Sequence, residues 1–444
     1  MIRNINDKDV KKVRREILMQ VLNEETKVAV LEDGQLVEIY AERDIHQRVV
    51  GNIYKGVVRN VLPGMQAAFV DIGLEKNAFL YVMDVAPQSK TEWDAKDRPN
   101  KLVMPNIRDL VKEGQEIVVQ IVKEPVGTKG ARITAQLTIP GRWLVLMPTV
   151  DYVAISRRIL NEPERIRLKD IAQSLKPEGM GLIVRTVAEG AQTEELERDV
   201  AQLLKIWEGI VGKQNKSAAP ALIHEDLELY QRILRDIFSD EVIRLFVNSR
   251  AVHDKVMEFV DMMEPRLKGK VYVNNIAELF DRYSVNEELA QALNRKVWLK
   301  NGGYLIFDHT EALTAIDVNT GKYVGSTNLA DTVLKTNLEA AREIARQLKL
   351  RNVGGIIIID FIDMQDNDHK NQVLEYLQEE FKKDKVRTHI LGITSLGLVE
   401  VTRKKVRQSL SSTLEEICPH CNGKGRIMSD THLLKTAADG VATP

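Results

Sequence analysis

The chain has 444 residues, of which 44% are hydrophobic and 29% charged, so it contains enough apolar material for several folded domains. Its formal net charge of -1 excludes a general electrostatic attraction to nucleic acid, and any such surface must come from local clusters of Lys and Arg. The N-terminus shows no apolar secretion segment, and the longest apolar runs are too short to cross a bilayer. We therefore expect a cytoplasmic protein without a membrane span.

The chain begins with segments that alternate as strands do. Residues 15–21 and 26–31 have this pattern, and Asp33-Gly34 is a strong signal for a hairpin turn into a third strand over residues 36–40. The sequence thus predicts a β-rich start to the fold.

Residues 49–137 contain short strands separated by glycine-marked turns, which predicts a five-stranded OB-fold barrel. Within it, residues 86–106 are polar and without periodicity, as expected of an insertion. Phe69 and Phe79 are candidates for stacking on unstacked bases, an interaction of about 1–3 kcal/mol per base, although aromatic residues in strands more often belong to the core. The candidate contacts to the phosphate backbone are Lys55, Arg59, Lys76 and Lys129.

The middle of the chain mixes both kinds of secondary structure. Residues 182–187 read as a strand, and residues 193–207 have the spacing of an amphipathic helix. Residues 226–300 read as helices and short strands. From Tyr304 onward strands and helices alternate, as in an α/β sheet.

Two acidic residues lie on neighbouring strands of this predicted sheet. Residues 313–319 alternate strictly, so Asp317 and Asn319 point to the same face. After a helix over residues 337–350, the apolar run of residues 355–359 predicts a strand buried on both faces, with Asp360 at its end. A helical connection between two strands places both carboxylates near one edge of the sheet.

Two carboxylates held close together repel each other, so we expect a cation to neutralise them. Mg²⁺ suits this role, because it binds one or two carboxylates and the phosphate oxygens of a substrate, and it activates phosphodiesters toward hydrolysis. The alternative is that Asp317 and Asp360 are strand-end acids that cap nearby turns. We interpret Asp363 and Asp366 as turn or helix N-cap residues.

The only two cysteines, Cys418 and Cys421, have the spacing of a zinc knuckle, but a structural zinc site needs four ligands. A redox dithiol lacks the expected βαβ context, and a site completed by His420 is strained because His420 lies between the thiols. A site shared by two chains completes the tetrahedron by symmetry.

Several of these segments resemble the ribonuclease E/G family. Residues 307–319 resemble its catalytic segment, residues 336–348 its following helix, and residues 354–364 its second metal strand. The resemblance extends from about Arg15 to about Arg426. It implies an α+β multidomain fold with these parts: an RNase H-like domain without catalytic residues (1–48 and 226–300), an inserted OB-fold RNA-binding domain (49–137), a 5′-sensor domain (138–225), a DNase I-like α/β catalytic domain (301–410), and a zinc-link with a tail (411–444).

The resemblance implies a Mg²⁺-dependent endoribonuclease that cuts single-stranded RNA and leaves a 5′-phosphate and a 3′-hydroxyl. Asp317 and Asp360 would bind one Mg²⁺ per active site, and Asn319 would support them. The expected processes are rRNA and tRNA processing and mRNA decay.

The resemblance also implies a preference for 5′-monophosphorylated ends, with Arg185 gripping the phosphate in a bidentate manner and Thr186 adding a hydrogen bond. Taken alone, each arginine reads as a solvated surface charge. The implied RNA-binding residues are Phe69, Phe79, Lys129, Gly141, Val145, Arg157, Arg185, Thr186 and Arg387.

Of the three possibilities for Cys418 and Cys421, the resemblance favours the Zn²⁺ shared between two chains, and hence a homodimer. Only residues 427–444 follow this segment, so the sequence gives no support for a tetramer or for a long scaffold tail.

Two other functions remain open from the sequence. One is a non-catalytic RNA-binding scaffold, for which an acid pair near RNA is unfavourable. The other is a DNA nuclease.

Overall fold

The protein is described here by a computed structural model, which covers residues 13–22, 25–43, 48–86, 105–125, 129–274, 279–321, 329–427 and 429. The chain divides into two compact units. One is formed by residues 1–18, 29–41 and 277–444, and the other by residues 19–28 and 42–276. Among the described residues, none of the helices has the length and apolar character needed to span a membrane.

Three strands open the described chain: β1 (Arg15–Leu22), β2 (Glu25–Glu32) and β3 (Gln35–Arg43). The predicted turn at Asp33-Gly34 is confirmed, and both residues have positive φ angles, of 49° and 80°. The Asp33 Oδ1 atom also accepts a hydrogen bond of 3.0 Å from the Arg14 backbone N–H. Strands β1 and β2 contribute residues to both units.

The predicted five-stranded OB-like barrel is confirmed. Its elements are β4 (Ile53–Leu62), β5 (Ala67–Asp71), β6 (Ala78–Tyr81), the short helix α1 (Ile107–Leu110), β7 (Glu116–Lys123) and β8 (Arg132–Thr134). The strands follow the order β4-β5-β6-β8-β7, and pairing of β7 with β4 closes the barrel. Alternate strand residues fill its interior, among them Val70, Leu80 and Ile133. Most of the expected insertion over residues 86–106 lies outside the described residues.

A smaller α+β layer follows the barrel. It consists of β9 (Ile139–Pro140), β10 (Leu144–Met147), β11 (Val153–Ile155), α2 (Glu162–Leu175), β12 (Gly181–Val184) and α3 (Thr193–Lys216), with strand order β11-β12-β10-β9. The strand predicted over residues 182–187 ends at Val184, because a 3-10 turn begins at Thr186. The predicted helix is longer than expected, and its apolar stripe is buried as predicted.

The next elements are β13 (Ala221–His224), α4 (Leu229–Asp236), β14 (Val242–Val247), α5 (Arg250–Met263) and β15 (Val271–Val273), then α6 (Leu279–Arg282) and α7 (Val285–Leu293). Strand β13 pairs with β4 of the barrel. A five-stranded sheet has the order β15-β14-β1-β2-β3.

The last sheet has six strands. The elements are β16 (Lys296–Trp298), β17 (Tyr304–His309), β18 (Leu313–Asn319), α8 (Leu329–Leu350), β19 (Gly355–Asp360), α9 (Asn367–Lys382), β20 (Thr388–Ile393), β21 (Val399–Arg403) and α10 (Leu410–Leu414). The order is β16-β17-β18-β19-β21-β20. Strands β18 and β19 are parallel and are connected through α8, and the other pairs are antiparallel.

Helices α8 and α9 pack on one face of this sheet, where Ile316, Ile357 and Ile359 share a core with Ile344 and Leu377. The prediction that β19 is buried on both faces is wrong, because Ile356 on the opposite face is 51% exposed. The physical reason is that this mixed sheet receives its two helices on the same side, so alternate residues of β19 face away from the core. We call that other side the open face.

Candidate active site

The acid pair lies on the open face of the six-stranded sheet. Asp317 and Asp360 are direct partners in the parallel register of β18 and β19, so their side chains leave the sheet on the same side and about 4.8 Å apart at the backbone. Thr314, Ile316 and Val318 point into the core, which leaves Asp317 and Asn319 outward by alternation. The structure therefore brings these two carboxylates together.

Asn319 belongs to the same group. Its Nδ2 atom donates a hydrogen bond of 2.8 Å to Oδ2 of Asp317. The amide fixes one oxygen of this carboxylate and leaves the other oxygen free of that bond. The sequence placed these two residues on one face, and the contact between them is an observation of the structure.

The electrostatics of the pair are unfavourable without a cation. Partial burial, then the negative charges of Asp317 and Asp363, raise the pKa of Asp360 above its usual range. Asp366, by contrast, is the N-cap of α9 and accepts a hydrogen bond of 2.8 Å from the Asp368 backbone N–H, which confirms its interpretation as a capping residue.

The donor set suits a hard divalent ion. Two exposed carboxylates on adjacent strands match the way in which Mg²⁺ is bound, through one or two protein carboxylates with water and phosphate completing its shell. A cage built by the protein alone would need more ligands, and the described residues contain no group of three or more His, Cys, Asp or Glu residues placed to hold a metal. Such an open half-site leaves room for a substrate.

The barrel carries an aromatic pair on its outer surface. Phe69 and Phe79 are register partners on β5 and β6, and their rings meet edge to face with centroids 5.9 Å apart. Both are half-buried, whereas their strand neighbours are fully buried, so the alternation turns the rings away from the barrel interior. This geometry differs from that of core residues and leaves ring surface available to a base.

Basic residues flank this pair, including one that sequence reasoning missed. Arg132 is the register partner of Phe79, and its Nε and Nη2 atoms both donate to Oδ2 of Asp84, at 3.1 and 2.9 Å. Lys129 is exposed three residues before it. Lys55, an expected phosphate contact, is instead held by Glu116 and by the Ser217 carbonyl, at 2.8 and 3.0 Å. Arg59 is likewise paired with Asp71, at 2.7 Å.

The expected 5′-sensor residues are partly gathered. Arg185 donates through Nη1 to the Gly141 carbonyl and through Nη2 to Asp236, at 2.6 Å in the second case. Thr186 shares a hydrogen bond of 2.7 Å with Ser156, the residue that precedes the exposed Arg157. Val145 lies on β10, and its register partners are Pro140 on β9 and Ile183 on β12.

Two carboxylates that the sequence did not reveal organise this region. Asp199 is 4% exposed and accepts hydrogen bonds of 2.8–3.0 Å from three consecutive backbone N–H groups, those of residues 142–144. Burial raises the pKa of Asp199, and the three N–H bonds oppose that rise. Burial also opposes ionisation of Asp236, but Arg235 and Arg185 lower its pKa, so it is a carboxylate that neutralises Arg185.

The cysteine pair lies in a turn stabilised by backbone hydrogen bonds. Backbone N–H groups of Cys421 and His420 lower the pKa of the exposed Cys418 thiol. The Cys421 sulfur accepts a hydrogen bond of 3.3 Å from the Gly425 N–H, and both cysteines are free thiols. Stabilised thiolates are the form that binds zinc.

Arg387 precedes β20 in the unit that contains the acid pair. Its Nε atom donates a hydrogen bond of 2.7 Å to His389 Nε2. The implied RNA-binding role of Arg387 stays a prediction.

The open face of the α/β sheet presents two paired carboxylates and an amide, and the same chain contains an OB-like barrel. Together these features define a candidate metal-dependent nucleic-acid enzyme. The comparisons give the family. A sequence model of the ribonuclease E/G family matches residues 138–406, and the chain belongs to this family. The family expected from the sequence is thereby confirmed, together with the enzyme class, an endoribonuclease.

Among its relatives, the ribonuclease G proteins of Salmonella typhimurium (strain SL1344) and Escherichia coli (strain K12) are each 46% identical over 413 residues, which cover 93% of this chain and 84% of theirs. Ribonuclease E of Nostoc sp. (strain PCC 7120) is 40% identical over 410 residues, 90% of this chain and 58% of its own. Among solved structures, a 14% identical chain of the a/eIF2alpha-aDim2p-rRNA complex from Pyrococcus horikoshii OT3 covers 52% of this chain and 100% of its own, with a TM-score of 0.15.

Proposed function

We propose that this protein is a Mg²⁺-dependent endoribonuclease that hydrolyses single-stranded RNA at the acid pair of Asp317 and Asp360. The observation that carries the proposal is their direct register pairing on the open face, with Asn319 bonded to Asp317. The coarser statement, that the chain is an endoribonuclease acting in RNA processing and decay, follows from its family. The metal, the strand preference and the residue roles are our proposal.

In the proposed mechanism, the two carboxylates would hold the ion, and Asn319 would keep the Asp317 carboxylate in position. When bound there, Mg²⁺ supplies Lewis-acid polarisation of the phosphodiester and neutralises charge that develops on it. Asp317 and Asp363 place negative charge beside Asp360, and a cation bound there would relieve the repulsion between these carboxylates. Hydrolysis would leave a 5′-phosphate and a 3′-hydroxyl.

RNA binding is assigned to the barrel and to the 5′ end pocket. Phe69 and Phe79 would stack on bases independently of sequence, and Lys129 would contact the backbone. Arg185 would exchange its ion pair with Asp236 for a terminal phosphate, which carries more negative charge. We further propose a cytoplasmic homodimer that shares one Zn²⁺ through Cys418 and Cys421 of each chain.

The function is tested with a short single-stranded RNA that carries a 5′-monophosphate, incubated with Mg²⁺ or with a chelator, and with a DNA strand of matched sequence. The proposal expects internal RNA cuts with Mg²⁺ alone and 5′-phosphates on the downstream products. Cleavage that persists after chelation, or equal cleavage of the DNA strand, would contradict it. A matched RNA with a 5′-hydroxyl end should be cut more slowly, and equal rates would remove the sensor from the proposal.

A further inference from the structure

The open face of the six-stranded sheet carries an aromatic cluster on strands close to the acid pair. Trp298 on β16 is the register partner of Tyr304 on β17, and Tyr304 is the partner of Asn319 on β18. In the neighbouring row, Lys296 is opposite Ile306, which is opposite Asp317. Register partners leave a sheet on the same side, so both rows lie on the face of the acid pair.

Lys296, Trp298 and Tyr304 contact one another, and we call them the aromatic platform. The two rings meet at 65° with centroids 5.4 Å apart. The Lys296 Nζ atom is 4.0 Å from the Trp298 centroid and 3.7 Å from the Tyr304 centroid, within the range of a cation–π interaction. The platform is therefore a preorganised group in which a cation is held beside two ring surfaces.

The exposure of Trp298 is unusual for its residue type. Trp298 is 61% exposed, while its neighbours Val297 and Leu299 are 8% and 5% exposed. The strand pattern thus directs the large apolar ring to the open face and the smaller side chains into the core. Tryptophan is a large apolar side chain that is mostly buried in folded proteins, so a ring placed outward beside a reaction centre points to a ligand.

The position of the platform identifies the ligand. With strands about 4.8 Å apart, β16 lies roughly 10 Å from β18, a span of about three stacked nucleotides at roughly 3.4 Å each. An RNA strand whose phosphate is at the acid pair therefore reaches Trp298 with a nearby nucleotide. Lys296 adds a positive charge that suits the phosphate of that nucleotide, and the exposed ring suits its base.

We propose that the aromatic platform is a nucleotide-binding subsite, in which the base of a nucleotide close to the scissile bond stacks on Trp298 and its phosphate contacts Lys296. Its relation to the scissile bond rests on the proposed function of the acid pair. In this role Trp298 is a positioning residue that fixes the register of the strand, and it is separate from the aromatic pair of the barrel.

The test combines two Trp298 variants and one control variant with a modified substrate. Trp298→Ala and Trp298→Phe are compared with Leu396→Ala, a matched control that removes an 82% exposed side chain from the β20–β21 connection of the same unit. Binding of a short single-stranded RNA is measured in chelator, so the readout does not depend on cleavage. Trp298→Ala should weaken binding by about 5- to 150-fold, the loss of one stacked base, while Trp298→Phe retains most of the affinity and Leu396→Ala changes it less than twofold.

Cleavage with Mg²⁺ then locates the subsite. A single abasic nucleotide is moved along the RNA, and the wild-type rate should fall most strongly at one fixed distance from the scissile bond. In Trp298→Ala the same abasic position should cause no additional loss, because the two changes remove the same contact. Unchanged binding and an unchanged abasic profile in Trp298→Ala would overturn the proposal.

These outcomes are distinguishable from failure of the proposed function. If wild-type protein binds RNA through Trp298 but does not cut it, the subsite stands and the role of the acid pair falls. If cleavage is normal in Trp298→Ala but the protein changes its oligomeric state on a sizing column, the platform is a surface between copies of this chain and the RNA subsite is overturned.

Discussion

Gly141 offers a prediction whose magnitude follows from the structure. A Cβ atom at this position would lie 2.6 Å from both carboxylate oxygens of Asp199, which is closer than atoms approach without a shift. Asp199 is buried and bonded to three backbone N–H groups, so it cannot move away without losing them. Hydrogen bonds to a charged acceptor contribute about 1.5–3 kcal/mol each, so the loss of two costs about 3–6 kcal/mol.

We therefore expect Gly141→Ala to lower the midpoint of thermal unfolding by about 6–12 °C, taking 3 kcal/mol and about 2–4 °C per kcal/mol. Because the Arg185 guanidinium donates to the Gly141 carbonyl, the variant should also lose discrimination between 5′-monophosphate and 5′-hydroxyl RNA. Scanning calorimetry measures the first effect, and paired cleavage rates measure the second.

Gly209→Ala is the matched control. This glycine lies inside α3, and a Cβ atom there would meet nothing within 4 Å, so alanine should stabilise the helix by up to about 1 kcal/mol. If Gly141→Ala unfolds within 1 °C of wild type, the added Cβ does not displace Asp199 from its hydrogen bonds, and our reasoning about this turn is refuted.

Three further predictions concern other parts of the chain. In metal-free buffer at pH 7, Asp360→Asn should raise the free energy of unfolding slightly, by less than about 1 kcal/mol. The reason is that a carboxyl whose pKa is raised by folding contributes stability below the usual aspartate range and loses it as pH rises. A lower free energy of unfolding in urea would contradict this. Phe79→Ala should weaken binding of single-stranded RNA by about 1–3 kcal/mol, which fluorescence titration measures. Ile133→Ala, in the barrel core, should instead destabilise the fold by about 2–5 kcal/mol, which urea unfolding measures. Metal analysis should find about half a zinc per chain in wild type and none in Cys418→Ser, and one zinc per chain would exclude a shared site.

Local sequence patterns predicted much of the candidate site, because they depend on strand geometry alone. A period of two places Asp317 and Asn319 on one face whatever surrounds the strand, and the structure adds the hydrogen bond between them. The Asp33-Gly34 turn was equally local, since both residues adopt left-handed φ angles. The direct pairing of Asp317 with Asp360 required the register set by the α8 connection, which no local pattern specifies.

Features that depend on distant parts of the chain were missed. The carboxylates of Asp199 and Asp236 act on groups more than 50 residues earlier in the sequence, so no spacing rule connects them. The burial of β19 was overestimated because a run of isoleucines is the same whether one or both faces are covered. The exposure of Trp298 was not predicted for a similar reason, since the exposure of a tryptophan in a strand is decided by its neighbours.

The central claim, that RNA is cut at the acid pair, is tested most directly by single-turnover cleavage of a 5′-monophosphorylated RNA by wild type, Asp317→Asn and Asp360→Asn at saturating Mg²⁺. Asp308→Asn is the control, because Asp308 lies on β17 and is bound to Arg295 outside the pair. We predict that each acid-pair variant folds and loses at least about 100-fold in rate, the scale of removing one transition-state contact, while the control stays within a few-fold of wild type. Folded Asp317→Asn and Asp360→Asn proteins that cut RNA at the wild-type rate would contradict the account.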